Sequence, residues 1–192
     1  MKPGDLISFG QYRWRVLART DNRALLITEA ILELRWYHTQ FVDVTWAECE
    51  IRKYLNEVLY TTFTPSEQAR VLPVTNENPD NPWFRTSGGT TTTDRIFLLS
   101  LEEVCQYFGN SEASLQTKGR QTWCIDDEHN ANRQATYGAT FHWWRLRSPG
   151  YYARTAASVN AAGQVYVRGN GVSGRPRDGG GMRPALWLEL EK

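Results

Sequence analysis

The chain has 192 residues, 41% of them hydrophobic and 22% charged, and a formal net charge of +1. That length suits one domain with a sizeable core, and the near-neutral balance gives no global pull toward nucleic acid or a membrane surface. No apolar run approaches the ~20 residues of a bilayer span; the opening Met1-Lys2-Pro3-Gly4-Asp5-Leu6-Ile7 lacks a long apolar stretch, so no signal peptide is expected, and the compartment expected is the cytoplasm or a phage particle.

Residues 12–17 alternate in polarity, Asp21-Asn22 is turn chemistry, and residues 24–28 resume as a strand, so the chain should open with a hairpin. The apolar stretch 30–36 fits helix or strand. Thr45 followed by Glu48 reads as a capping box ahead of a helix carrying Ile51, Leu55 and Val58/Leu59 at helical spacing. A second helix should start at Thr64-Pro65-Ser66-Glu67, where proline at the first position forfeits no hydrogen bond. A third should start at Ser100-Leu101-Glu102-Glu103 and stop by Gly109. Residues 76–93, rich in Asn, Pro, Gly and Thr, must be loop, and a second irregular region spans about 109–137. From Phe141 onward, short strands are expected at 156–159, 163–168 and 183–190. The expected class is therefore α+β in one domain, 1–192, with short helices early and antiparallel strands late. Two long loops in one domain point to loops as the working parts.

Metal and covalent chemistry find little support. Cys49, Cys105 and Cys124 form no CxxC or Cys/His pattern, and free thiols are expected. Asp126, Glu128 and Asn130 alternate like the opening of a calcium loop, but Ala131 stands where that loop turns on glycine and no Glu closes it. Among His38, His129 and His142, only His129 lies near a cysteine in sequence, five residues after Cys124. No Walker loop, GxGxxG or HExxH is present. Hence no catalytic residue, metal or cofactor is expected.

The last third is more informative. Arg133, 145, 147, 154, 168, 175, 177 and 183 face a single acid there, Asp178. In Gly163-Gln164-Val165-Tyr166-Val167-Arg168, alternation turns Val165 and Val167 inward and Tyr166 and Arg168 outward, with Asn170 following Gly169. Tyr151, Tyr152, Arg154 and Thr155 follow a Pro-Gly turn. Ser158 and Asn160 flank the inward Val159, and Ser173, Arg175, Arg177 and Asp178 occupy a Gly-rich loop. Rigid aromatics with adaptable polar groups are the chemistry of paratopes. Composition alone leaves this open between a binding face and an ordinary solvated strand face.

Four stretches in order carry a resemblance: Thr45-Trp46 with Ile51-Arg52-Lys53-Tyr54-Leu55-Asn56; Thr92-Thr93-Asp94-Arg95-Ile96-Phe97-Leu98-Leu99-Ser100; residues 143–150; and Met182-Arg183-Pro184-Ala185-Leu186-Trp187-Leu188. Over about residues 5–190 the chain resembles a bacterial and phage domain family of unknown function, many of whose members look like variable (target) proteins of diversity-generating retroelements. The resemblance implies a C-type-lectin-like fold: paired N- and C-terminal strands, an antiparallel sheet with two or so short helices, and a ligand face of late strands and loops. It also implies a hypervariable segment, here about 147–184, opened by Arg147-Ser148-Pro149-Gly150 and closed by Arg183-Pro184.

The expected function is thus ligand binding through a variable surface made of Tyr151, Tyr152, Arg154, Thr155, Ser158, Asn160, Tyr166, Arg168, Asn170, Ser173, Arg175, Arg177 and Asp178. The expected partner is a protein or surface ligand. An anionic one suits Arg154, Arg168, Arg175 and Arg177. Nucleic acid is not expected, because these arginines are spread through strands without a groove-binding helix. One departure from the resemblance is the prominence of Ala, Gly and Arg over Tyr, Asn and Ser in this segment. Two alternatives stay open: a fixed-ligand adhesion or virion module, and a formylglycine-generating-like enzyme on the same fold. The enzyme's resemblance carries a late reactive cysteine pair, and no cysteine follows Cys124 here.

Overall fold

In the computed structural model, which describes residues 1–117, 123–174 and 179–190, the chain opens with a meander of β1 (Leu6–Phe9), β2 (Tyr12–Arg19) and β3 (Arg23–Thr28). Trp14 and Val16 point into the core as alternation requires. Leu17 is buried beside Val16 because a register shift interrupts the β2–β3 pairing between Val16 and Ala18. Residues 24–28 of β3, which lies between β2 and β16, are buried throughout, so both faces of this strand are covered.

The ambiguous stretch after β3 yields a short strand, β4 (Glu33–Leu34). The first helix, α1 (Glu50–Tyr54), begins later than the Thr45 capping box predicts. Its N-cap is Cys49, which makes no side-chain cap; the Thr45 hydroxyl meets the Glu48 carboxylate at 3.3 Å, and the Thr45 carbonyl accepts from Glu48 and Cys49 in a turn. The helical path continues through a π-turn at Leu55–Leu59. Ile51, Leu55 and Leu59 are buried on it, whereas Val58 is exposed. The other two helix starts follow the sequence signals. Both α2 (Pro65–Arg70) and α3 (Leu101–Tyr107) carry complete capping boxes, Thr64 with Glu67 and Ser100 with Glu103. α3 ends before Gly109, whose φ of +153° suits glycine, and an added Cβ there would lie 2.0 Å from the His129 ring.

Between these helices run β5 (Val71–Leu72), β6 (Val74–Asn76), β7 (Thr92–Asp94) and β8 (Ile96–Phe97). After α3 come α4 (Glu112–Leu115), β9 (Cys124–Ile125), α5 (Asn130–Arg133) and a small hairpin of β10 (Thr136–Tyr137) and β11 (Thr140–Phe141). The late strands are β12 (Trp144–Pro149), β13 (Thr155–Val159), β14 (Val165–Gly171), β15 (Gly181–Met182) and β16 (Ala185–Glu189).

Two larger sheets result. One has the order β1-β2-β3-β16-β5 with β8 also on β16, so the last strand lies beside β3 with Leu186 opposite Leu26. The other has the order β4-β15-β12-β13-β14-β9 and is antiparallel except where β12 meets β15. Buried apolar residues of both sheets, α1 and α3 form one contiguous cluster. The chain is α+β, mostly sheet with a few short helices.

The motif residues prove to be joints of this core. Asp94, 1% exposed, accepts from Trp46 Nε1 (3.0 Å), Arg52 Nε (2.6 Å), Asn76 Nδ2 (2.9 Å) and Thr92 Oγ1 (2.7 Å). Arg183 is buried; its guanidinium donates to the carbonyls of Thr28, Glu29 and Arg133 and lies over Trp144 and Phe108. Arg147 pairs with Glu103 and donates to the Leu98 carbonyl. Arg145 is buried against Trp36 and Trp143 and donates to the Arg35 and Gly171 carbonyls. Arg133 bonds Asp127 and Ser111. Four of the eight late arginines are therefore buried and bonded to carbonyls or side chains inside the molecule, and are not presented to a ligand.

Candidate binding surface

The candidate surface is built on β13, β14 and the turn before them. In β14, Val165 and Val167 are fully buried, Tyr166 is half-buried and Arg168 is exposed, which is the expected alternation. Gly169 is forced by close packing: its φ is +75°, and a Cβ there would stand 2.4 Å from the Ala156 carbonyl oxygen. Residues 150–155 form a tight turn pinned to β14. Tyr151 N donates to Arg168 O at 2.8 Å and Gly150 N to Thr155 O at 2.8 Å. Thr155 Oγ1 accepts from Tyr152 N (3.0 Å) and donates to Tyr152 O (2.8 Å). The two tyrosines thus sit on a rigid platform.

Around them runs a ladder of rings and guanidiniums. Arg154 lies over Phe41 (5.6 Å) and Tyr152 (5.0 Å), and Tyr152 meets Tyr151 edge to face at 4.4 Å. Arg168 lies over Tyr151 (5.5 Å) and Trp123 (5.8 Å), while Phe84 packs edge to face on Tyr151 at 4.7 Å. Phe41, Tyr151 and Tyr152 are exposed to 58%, 39% and 47%, large values for aromatic side chains that serve only the core. Beyond Arg168, Tyr166 borders a shallow groove of about 370 Å³ with Cys124, Trp143, Asn160, Ala161 and Asn170.

The structure brings Tyr151, Tyr152, Arg154, Tyr166, Arg168 and Asn170 to this region. It assigns three other predicted residues to scaffolding. Ser158 was expected outward, yet it is 0% exposed: it stands between the larger Arg145 of β12 and Tyr166 of β14 in the ladder and accepts from Asn170 Nδ2 at 2.8 Å. The Asn160 amide is spent on its own turn: Oδ1 accepts from Ala162 N and Gln164 N at 3.0 Å, and Nδ2 donates to Gln164 Oε1 at 2.7 Å. Thr155 is spent in the same way. Ser173 is half-buried after the end of β14. Arg175, Arg177 and Asp178 lie outside the described residues.

Residues from earlier loops complete the surface, and sequence reasoning missed them: Phe41, Phe84, Trp123, Cys124 and Trp143. For Phe41, Phe84 and Trp123 the only signal was an aromatic in an otherwise polar stretch; Cys124 and Trp143 were noted in sequence but not as surface residues. The long loop after β6 reaches the site because Asn81, fully buried, donates to the Pro149 (2.8 Å) and Val167 (3.0 Å) carbonyls and accepts from Trp83 N and Phe84 N. One amide thereby fixes Phe84 beside Tyr151.

The three thiols are free and held protonated. Burial pushes the thiols of Cys49 and Cys105 up to about 12 and also raises that of Cys124, with Asp126 adding to the last. In the acidic loop, the Asp126 carboxylate accepts from Asn130 Nδ2 and Gln164 Nε2, and Asp127 is held by Arg133, Ser111 and His129 N. Among the described residues, no three of His, Cys, Asp and Glu are grouped to hold a metal ion, and no helix is long and apolar enough to cross a membrane.

One family matches the chain, over residues 21–190; its description is "Domain of unknown function (DUF6273)". No curated protein and no solved structure matches.

Proposed function

Since the chain belongs to the DUF6273 family, whose description leaves activity open, we propose that it is a ligand-binding protein with a C-type-lectin-like fold, of the variable-protein type made by diversity-generating retroelements. The observation that carries this reading is the convergence of Tyr151, Tyr152, Arg154 and Arg168 into one exposed surface on a turn and strand that are themselves tightly hydrogen-bonded. A scaffold must keep its backbone while its outward side chains change. Here the structural work falls to groups such as Val165, Val167, Gly169 and Asn81, and the outward positions carry little of the packing. The pairing of β3 with β16 and the second sheet of late strands support the lectin-like reading. The bounding Arg147 and Arg183 are buried joints, as the ends of a variable segment should be.

Catalysis has less support. The thiols are raised rather than activated, and a nucleophilic cysteine needs a lowered pKa or an adjacent base.

Sequencing the coding DNA with about ten kilobases around it, in several isolates, tests the proposal. A near-copy of the 147–184 segment beside a reverse transcriptase, differing at adenines, is the expected result. An unvarying segment without such a copy would overturn the variable-protein reading.

A further inference from the structure

We infer that this surface recognises an acidic polypeptide segment, with Arg154 and Arg168 as two separate carboxylate anchors flanking an apolar contact on Tyr151 and Tyr152. The inference rests on the binding reading above and adds the chemistry of the partner.

Three observations carry it. The first is preorganisation. Each guanidinium lies over two rings, Arg154 over Phe41 and Tyr152, and Arg168 over Tyr151 and Trp123. Two rings beside each guanidinium restrict where it can go while Arg154 and Arg168 stay exposed, so less side-chain entropy is lost when their N–H groups meet a carboxylate. The second is unspent charge. Among the described residues, no carboxylate lies within ion-pair distance of Arg168. Among the same residues Arg154 has Asp43 alone, at 3.9 Å, and Asp43 is itself 69% exposed. That pair is long and screened, and a partner's carboxylate can displace it. These two differ from Arg133 and Arg147, which are buried and already paired with Asp127 and Glu103.

The third observation decides between polyanions. Single-stranded nucleic acid binds by stacking successive bases on open ring faces along a strongly basic groove. Here guanidiniums occupy faces of Phe41, Tyr151, Tyr152 and Trp123, and the tyrosines meet edge to face at 84°. A guanidinium over each ring leaves less open face for a base and adds its own positive N–H groups to the surface. Two arginines on a chain of net charge +1 give little counterion release. Carboxylates spaced around an apolar residue match this pattern better than a phosphate chain.

The test is to pan a random peptide phage library against the full chain, then measure recovered peptides by fluorescence anisotropy against wild type, Arg154→Gln, Arg168→Gln and the double variant. Circular dichroism checks that each variant is folded. The expected result is enrichment of Asp and Glu in the recovered peptides. Affinity should fall about tenfold per arginine removed and weaken with added salt. Recovery of no peptide, of peptides without acidic enrichment, or of peptides that bind the double variant equally well would overturn the inference. Heparin and a single-stranded oligonucleotide serve as rival probes. Tighter binding of either, lost in the double variant, would also overturn the acidic-peptide partner while the binding surface itself stands. Failure of the underlying reading is separate and is read from the coding locus.

Discussion

Removing the Asp94 carboxylate should cost the protein a large fraction of its stability without touching the binding surface. Asp94 is 1% exposed and receives four donors, one of them the Arg52 guanidinium at 2.6 Å. In Asp94→Ala these donors lose their acceptor, and Arg52 keeps a part-buried charge with no counterion there. Breaking a buried pair by deleting one partner costs about 3–5 kcal/mol. Asp94→Asn should be nearly as harmful. An amide has one acceptor oxygen, so turning it toward Trp46, Asn76 and Thr92 aims its NH2 at Arg52. Urea unfolding followed by tryptophan fluorescence measures the loss. For a chain of this size the melting temperature should drop by roughly 10 °C. A loss under about 1 kcal/mol for Asp94→Ala, with unchanged denaturant slope, would refute the claim that this network joins α1 to β7, and the motif would then need a functional explanation.

Other outcomes follow from burial. Trp144→Ala should cost about 3–5 kcal/mol, since Trp144 is fully buried; Trp187→Ala should cost roughly half as much, because Trp187 is half-buried under Arg23, and calorimetry distinguishes the two. Tyr152→Ala and Arg168→Ala should stay within about 0.5 kcal/mol of wild type, whereas Ser158→Tyr should cost about 3 kcal/mol by overpacking β13; equal effects at the three positions would contradict the division into surface and scaffold. With a thiol reagent at pH 8, only Cys124 should react in the folded protein, and slowly, while Cys49 and Cys105 react after denaturation; fast native labelling of Cys49 would place it outside the core. Burial opposes ionisation of Asp127, but hydrogen bonds from Arg133, Ser111 and His129 N outweigh it and hold its carboxyl below the usual value of 3.8. A lowered folded pKa means stability fully present above pH 3.8 and lost as pH falls through the folded value. Acid unfolding monitored between pH 5 and 2 should therefore shift in Asp127→Asn; an unchanged acid limb would remove Asp127 as a contributor.

Much of this was written locally. Thr64-Pro65-Ser66-Glu67 and Ser100 with Glu103 specified two helix starts, because a capping box is complete within four residues and needs no distant partner. Val165, Tyr166, Val167 and Arg168 specified which side chains of β14 face inward, because alternation is a property of the single strand. The tertiary structure decided what depends on neighbours. Thr45 and Glu48 carry the same local signal as the two working boxes, yet they close a turn and the helix waits for Glu50. Ser158 and Asn160 looked like ligand contacts until the strands around β13 and the turn after it consumed them. No local pattern said which of the late arginines would be buried. Burial divides them, sending Arg133, Arg145, Arg147 and Arg183 inward to carbonyls and acids and leaving Arg154 and Arg168 over exposed rings. Phe41, Phe84 and Trp123 joined that surface from loops far away in the chain, through contacts such as Asn81 to β14 that no local pattern encodes. Periodicity and capping act over a few residues and are legible in order along the chain; which outward side chains become one surface depends on long-range packing, which only the folded chain supplies.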